Sequence, residues 1–336
     1  MLFSFSVPLA DLSPNPATQS TQYISKYMPC RRINLHVVEL GSDDRAEWTV
    51  RAVTRDVSKE SAKKLAEQGA EVISGNLDDK ASLVEAMRGS YAAFGVTNYW
   101  EYCNADKEIQ QGKNLADAAK EAGVQHYIWS SLLDINKLSH GKLPNAYHFD
   151  SKAAVEEYTR TLGIPATFFL PGFYMSNIGS VGGLLKPSSS LDNTWTFALL
   201  VSPTAAVIPM YHVGDTGKYV KAIALNRDKL LGKRFLAATA YMTAQEVLDA
   251  FKELFPVAGR TARYFELPED MFRAYLKAQG SPDFVVSELY ENMRLLEEFG
   301  YYGGASLDET HALVEDELTT FAEYAKTCAE GFKGLE

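Results

Sequence analysis

The run Tyr147-His148-Phe149-Asp150-Ser151-Lys152 sets an imidazole and an ammonium four positions apart, one turn along a shared helix face. At that spacing a lysine can bond a ribose hydroxyl and lower the pKa of a neighbouring proton donor, while the ring exchanges a proton with a carbonyl oxygen. A hydride-transferring site of this kind uses a serine to hold the substrate oxygen and a tyrosine to give the proton. Ser130, in the pair Ser130-Ser131 that closes an apolar run, supplies the serine, and His148 stands where the tyrosine belongs. Imidazole does acid–base work near neutral pH, so the exchange leaves catalysis open. It equally leaves open a packing role near the helix N-terminus. Tyr147 is one residue out of register and falls on another face. Lys152 carries the most weight, because a lysine in the first turn of a helix opposes the helix dipole unless it has another task.

A second group of candidates lies upstream. Trp48 to Thr54 is a β-rich run closed by Arg55-Asp56. At the end of such a strand an acidic residue holds the ribose 2′-hydroxyl of NAD, whereas an arginine accommodates the 2′-phosphate of NADP. Arg55, with Lys59 one turn on, therefore favours NADP and makes NAD the lesser candidate; the plain alternative is a solvated arginine. Asn76-Leu77-Asp78 and Thr97-Asn98-Tyr99-Trp100 follow the next two strand-like runs, where loops line a ligand cleft. Thr97-Asn98 is assigned to the cleft. Asn76 and Asp78 can instead shape a turn and cap a helix, and for Asp78 the two readings are even.

The elements that must position these residues are legible as alternation. Strand-like runs at 48–54, 71–74, 92–97, 126–131 and 166–170 are separated by amphipathic stretches, including 104–122 and 148–161. Short apolar strands alternating with helices predict an α/β fold with a doubly wound parallel sheet. Beyond Gly172 the alternation loosens, with helices expected at 215–226, 243–254, 268–278 and about 284–299. The division expected is an irregular segment 1–32, a nucleotide-binding domain 33–175, and a smaller mixed or helical lobe 176–336 over the carboxyl edge of the sheet.

With 336 residues, 46% of them hydrophobic, the chain can bury such a core. Its net charge of −10 is dispersed and speaks against direct nucleic-acid binding. Cys30, Cys103 and Cys328 form no metal-ligating spacing, so a reducing, cytoplasmic setting is expected, or a nuclear one for a regulator. No membrane span or signal peptide is read, although 12–32 has the Ser/Thr/Pro-rich make-up of a weak transit segment.

The segments Val50-Arg51-Ala52-Val53-Thr54-Arg55-Asp56, Gly75-Asn76-Leu77-Asp78-Asp79, Val96-Thr97-Asn98-Tyr99-Trp100-Glu101, His148-Phe149-Asp150-Ser151-Lys152 and Leu170-Pro171-Gly172-Phe173-Tyr174-Met175-Ser176-Asn177 together resemble the NmrA-like family of atypical short-chain dehydrogenases, well known in fungi. The resemblance runs from about Ile33 to near the C-terminus. It implies a Rossmann domain that binds NADP(H), sometimes NAD. Carried over by position, it implies 2′-phosphate contacts from Arg55 and Lys59, and adenine neighbours in Asn76 and Leu77. Thr97, Asn98 and Tyr99 would line the cleft with Lys107 nearby, and Lys152, Phe173 and Tyr174 would flank the nicotinamide. Histidine in place of the tyrosine is common in that family.

The departure is at the start. The family opens with an apolar strand and a GxxGxxG turn that cradles the pyrophosphate. Here residues 1–47 hold a single glycine, Gly41, and Ile33–Leu40 resembles the end of the helix that should follow the turn. The first strand and glycine-rich loop are thus expected to be missing. Either an altered first exon replaces them or the pyrophosphate site is crippled. The leading expectation is an NADP(H)-dependent oxidoreductase reducing a small carbonyl or enone in secondary metabolism. The alternatives are a non-catalytic NADP(H) sensor that binds a transcription factor or other protein, and a cofactor-free scaffold.

Overall fold

The computed structural model describes residues 49–188 and 194–335, together with the backbone of a strand at 2–6. Seven strands form the main sheet: β1 (Leu2–Ser6), β2 (Thr49–Thr54), β3 (Glu71–Ser74), β4 (Ala92–Gly95), β5 (His126–Ser130), β6 (Ala166–Pro171) and, later in the chain, β11 (Arg234–Ala237). Their order is β11-β6-β5-β4-β1-β2-β3, and every neighbouring pair is parallel. The order reverses beside β1, which creates the crevice at the carboxyl edge where open α/β sheets take ligands.

Leu2–Ser6 fills the central place that the sequence reading leaves empty, with Leu2 opposite Thr49 and Phe3 opposite Ala92. The reading of 1–32 as irregular is corrected at these positions. The physical reason is the alternation Leu-Phe-Ser-Phe-Ser, a strand period that the following prolines obscure. The expected loss of the glycine-rich loop falls on residues 7–48, outside the described residues.

The strands read as continuous apolar runs because both faces of the sheet are covered. Along β5 and β6, Tyr127, Trp129, Phe168 and Leu170 enter one core, while Ile128 and Phe169 enter the other with Tyr219 and Phe235. On the first face, the Ala105–Glu121 helix starts at Asn104, whose side chain accepts from Lys107 N at 3.0 Å. It packs on the Tyr147–Thr161 helix through Gly112. A Cβ there would lie 2.5 Å from Val155 Cγ2.

Two small sheets build the rest. In one, β10 (Val207–Tyr211) lies between β7 (Phe173–Tyr174) and β12 (Ala240–Thr243); in the other, β9 (Trp195–Leu199) lies between β8 (Leu185–Pro187) and β13 (Arg263–Glu266). Two strands cross the expected 175/176 boundary: β11 joins the main sheet beside β6, and β7 pairs with β10. The expected later helices are present as Thr216–Leu225, Ala244–Leu254, Glu269–Ala278 and Asp283–Glu298. Among the described residues no helix is long and apolar enough to cross a membrane.

Candidate functional site

His148 and Lys152 share one face of the Tyr147–Thr161 helix, which lies against the carboxyl end of β4. Because the helix begins at Tyr147, Lys152 sits in its second turn, and the expected first-turn conflict with the dipole does not arise. Its charge is answered differently. Lys152 Nζ donates to Glu108 Oε1 at 2.8 Å, to Thr97 Oγ1 at 2.9 Å and to the Thr97 carbonyl at 3.0 Å. Thr97 Oγ1 in turn donates to Glu108 Oε1 at 2.7 Å, and Ser151 Oγ donates to Glu108 Oε2. Glu108 is 2% exposed, so the ion pair is a buried one with both carboxylate oxygens occupied. Trp129 Nε1 fixes the backbone from below by donating to the Lys152 carbonyl at 3.0 Å.

His148 is held by another buried carboxylate, from the far lobe. Glu288 Oε1 accepts from His148 Nδ1 at 2.7 Å and from the His148 backbone N–H at 2.8 Å. The Tyr99 hydroxyl donates to Glu288 Oε2 at 2.8 Å. Burial, reinforced by that carboxylate, pushes the Tyr99 phenol far above its ordinary value, so it stays a donor. The imidazole is flanked by Trp100, with ring centroids 4.9 Å apart, and by Phe149 at 4.8 Å. Between the two candidates in sequence, Asp150 Oδ1 accepts from Ile135 N at 2.7 Å; burial raises its carboxyl to about 6 against the pull of the backbone bonds.

A second network gathers the upstream candidates. Arg55 Nη1 donates to Glu101 Oε1 at 2.8 Å, and Lys107 Nζ reaches Asp78 Oδ2 at 3.2 Å while standing 4.2 Å over the Tyr102 ring. Burial works against the Arg55 charge, but Glu101 outweighs it and raises the guanidinium pKa. For Asp78 burial also opposes ionisation, and the hydrogen bonds from Gln111 and Lys107 prevail, holding it below the ordinary carboxylate value. Lys59 is half-buried at the N-cap of the Glu60–Glu67 helix. Asn76 is exposed and shapes a turn, its Oδ1 accepting from Asp78 N at 3.1 Å, while Leu77 is buried.

The remaining candidates differ. Ser130 is buried at the end of β5 and makes no side-chain hydrogen bond among the described residues, whereas Ser131 donates to the buried Glu156 at 2.7 Å. Phe173 packs into the core, and Tyr174 meets Tyr211 edge-on with centroids 5.2 Å apart. No group of His, Cys, Asp and Glu among the described residues could hold a metal ion.

One direct observation bears on a nucleotide at this edge. Asn98 Oδ1, just beyond β4, is buried and has no hydrogen-bond partner, so an N–H donor from a ligand would satisfy an otherwise orphaned acceptor. Arg55 and Lys107 offer cations to a phosphate, each after exchanging its present carboxylate.

Sequence reasoning missed Glu108 and Glu288, the two groups that organise the site. The signal was present. Glu108 shares a helical stripe with Gly112, Leu115 and Ala119, and Glu288 with Val285, Asn292 and Leu295. A carboxylate inside an apolar stripe needs a buried partner.

The sequence profile of the NmrA-like family matches residues 32–325. The chain is 31% identical over 232 residues to malD, an NmrA-like family domain-containing oxidoreductase of Malbranchea aurantiaca, a match spanning 65% of this chain and 67% of that protein. It is 27% identical over 297 residues to an NmrA-like family domain-containing protein of Dictyostelium discoideum, spanning 86% and 92%. Among solved structures, NmrA, a negative transcriptional regulator, in complex with NADP superposes with a TM-score of 0.70 over 98% of this chain and 95% of that one. At 21% identity that likeness shows the fold.

Proposed function

The chain belongs to the NmrA-like family, and on that premise we propose that it is an NADP(H)-dependent oxidoreductase that reduces a small carbonyl or enone in secondary metabolism. One observation carries this reading. His148 turns Nδ1 to a buried carboxylate, and its Nε2 makes no hydrogen bond among the described residues, on the helix face it shares with Lys152. That is an imidazole prepared to move a proton. When bound, NADPH would supply the hydride. His148, as the imidazolium, would give its Nε2 proton to the substrate oxygen or carbanion and return to the neutral Nδ1–H ring, and the Ser130 hydroxyl would hold that oxygen. Lys152 would bond the ribose by exchanging one of its Thr97 contacts, keeping Glu108 as counter-ion. Arg55 and Lys59, with Lys107 nearby, would take the 2′-phosphate, and Asn98 Oδ1 would accept from the nucleotide. The oxidoreductase relative from Malbranchea supports this reading.

The second reading is a non-catalytic NADP(H) sensor that binds a transcription factor or another protein. A specific observation favours it: Arg55 and Lys152 are already paired, with Glu101 and Glu108. Filling the cleft must therefore rearrange 97–101. The likeness to a transcriptional regulator held with NADP is of fold only.

Calorimetric titration with NADPH, NADP and NAD, followed by NADPH consumption across a panel of small carbonyls and enones, separates the two. The oxidoreductase binds the phosphorylated cofactors and consumes NADPH. Binding without turnover favours the sensor, and no binding overturns both.

A further inference from the structure

We propose that Glu288 is a positioning residue for His148, fixing its ring as the Nδ1–H tautomer so that Nε2 is the atom that gains and loses the proton. This rests on the oxidoreductase reading for its catalytic consequence, though not for its tautomer.

The geometry is specific. One oxygen, Glu288 Oε1, receives both the backbone N–H and Nδ1 of the same residue, at 2.8 and 2.7 Å. A carboxylate only accepts, so Nδ1 must carry hydrogen to be held there. An Nε2–H ring would set the Nδ1 lone pair against the carboxylate. Rotation of the ring is opposed by Trp100 on one side and Phe149 on another. The carboxylate itself is pinned, since Oε2 takes the Tyr99 hydroxyl at 2.8 Å and the residue is fully buried. This is the general arrangement by which a buried carboxylate orients an imidazole for proton transfer.

Glu288 comes from the Asp283–Glu298 helix, 140 residues beyond His148 in sequence. One turn on, Glu291 of the same helix accepts from the Asn145 backbone N–H and from its side-chain amide, both at 2.5 Å. The helix thus grips the residues that enter the Tyr147–Thr161 helix at two points. The acid–base group of the nucleotide-binding sheet is completed only by the second lobe. A latch serving stability alone would need the backbone N–H and Tyr99; the imidazole contact is what adds a chemical consequence.

The test uses the full chain labelled with 15N, reading the His148 ring by long-range proton–nitrogen correlation, with His148→Gln to assign its signals. The wild type is expected to show Nδ1–H, and Glu288→Gln a mixture of tautomers. A wild-type ring protonated at Nε2 alone overturns the proposal whether or not the protein turns over any substrate. In the NADPH-consumption assay, Glu288→Gln should lower kcat by ~10²- to 10⁴-fold, the range for misplacing such a tautomer. KM and NADPH affinity should change by less than about threefold. A variant that loses only thermal stability, with kcat and tautomer intact, also overturns it. Should Glu288→Gln fail to fold, Tyr99→Phe frees one carboxylate oxygen and is expected to broaden the tautomer balance; an unchanged ring would count against the proposal. Absence of turnover in the wild type would strike the oxidoreductase reading and leave the tautomer measurement to decide this one.

Discussion

Lys152 Nζ lies 2.8 Å from Glu108 Oε1, with the lysine side chain 12% and the glutamate 2% exposed. The charge of Lys152 is therefore neutralised by an internal carboxylate before any ligand arrives. Removing one partner of a buried pair costs more than removing both, because it strands an uncompensated charge. Lys152→Met should destabilise the fold by about 3–5 kcal/mol in urea unfolding. Adding Glu108→Gln should return most of that stability without returning turnover. If the double variant is no more stable than the single one, the pair is not the counter-ion arrangement described.

The competition at the other end of the cleft is between a phosphate and Glu101. Arg55→Ala should weaken NADPH binding by ~10- to 100-fold, the worth of a charge-assisted hydrogen bond, and leave NADH nearly unchanged. Glu101→Gln removes the carboxylate that competes with a phosphate for the guanidinium and should strengthen NADPH binding. Calorimetry with both cofactors checks the pair of outcomes; equal losses for NADPH and NADH in Arg55→Ala would place the 2′-phosphate elsewhere.

The Ala105–Glu121 helix can hold Glu108 against Ser151 and Lys152 only because Gly112, one turn later, lets the two helices meet. A Cβ at Gly112 would stand 2.5 and 2.8 Å from the Val155 methyls and 3.1 Å from Trp129. Gly112→Ala should cost about 1–3 kcal/mol by overpacking, despite the better helix propensity of alanine. Thermal unfolding would reveal it, and a stabilised variant would contradict the close approach.

Acid stability should report on His126 at the start of β5. Burial, with a contribution from Arg227, holds its imidazole down to about 4, against 6.5 ordinarily. Between those values the unfolded chain binds the proton and the folded chain does not. Unfolding free energy therefore rises with pH through that window and is lost as pH falls from about 6.5 to about 4, by about 3 kcal/mol. His126→Gln should remove that part of the slope. Asp150, raised to about 6 by burial, acts in the opposite sense, since the folded state binds the extra proton below that pH.

Much of the fold was legible because its strands are short, apolar and regularly spaced. The helices at Ala105–Glu121 and Tyr147–Thr161 were found within a residue or two of their ends. The two small sheets were not anticipated. Of their strands, β8 and β9 lie in the Gly-, Ser- and Pro-rich stretch 179–215, and β9 pairs with the distant β13, a pairing across long sequence separation that no local pattern records. The site was half legible. His148, Lys152, Thr97 and Tyr99 do come together, and so do Arg55, Asp78 and Lys107. Their partners Glu108, Glu101 and Glu288 were given no role, although the helical phase of Glu108 and Glu288 marks them as interior.

Whether His148 moves a proton in a reduction is decided by NADPH consumption by the purified chain over the carbonyl and enone panel, run beside His148→Gln. The wild type is expected to consume NADPH with at least one substrate, and His148→Gln to bind NADPH with unchanged affinity yet lose ~10²-fold or more in kcat. A wild type that binds NADPH and consumes none, or a His148→Gln variant as fast as the wild type, would contradict it.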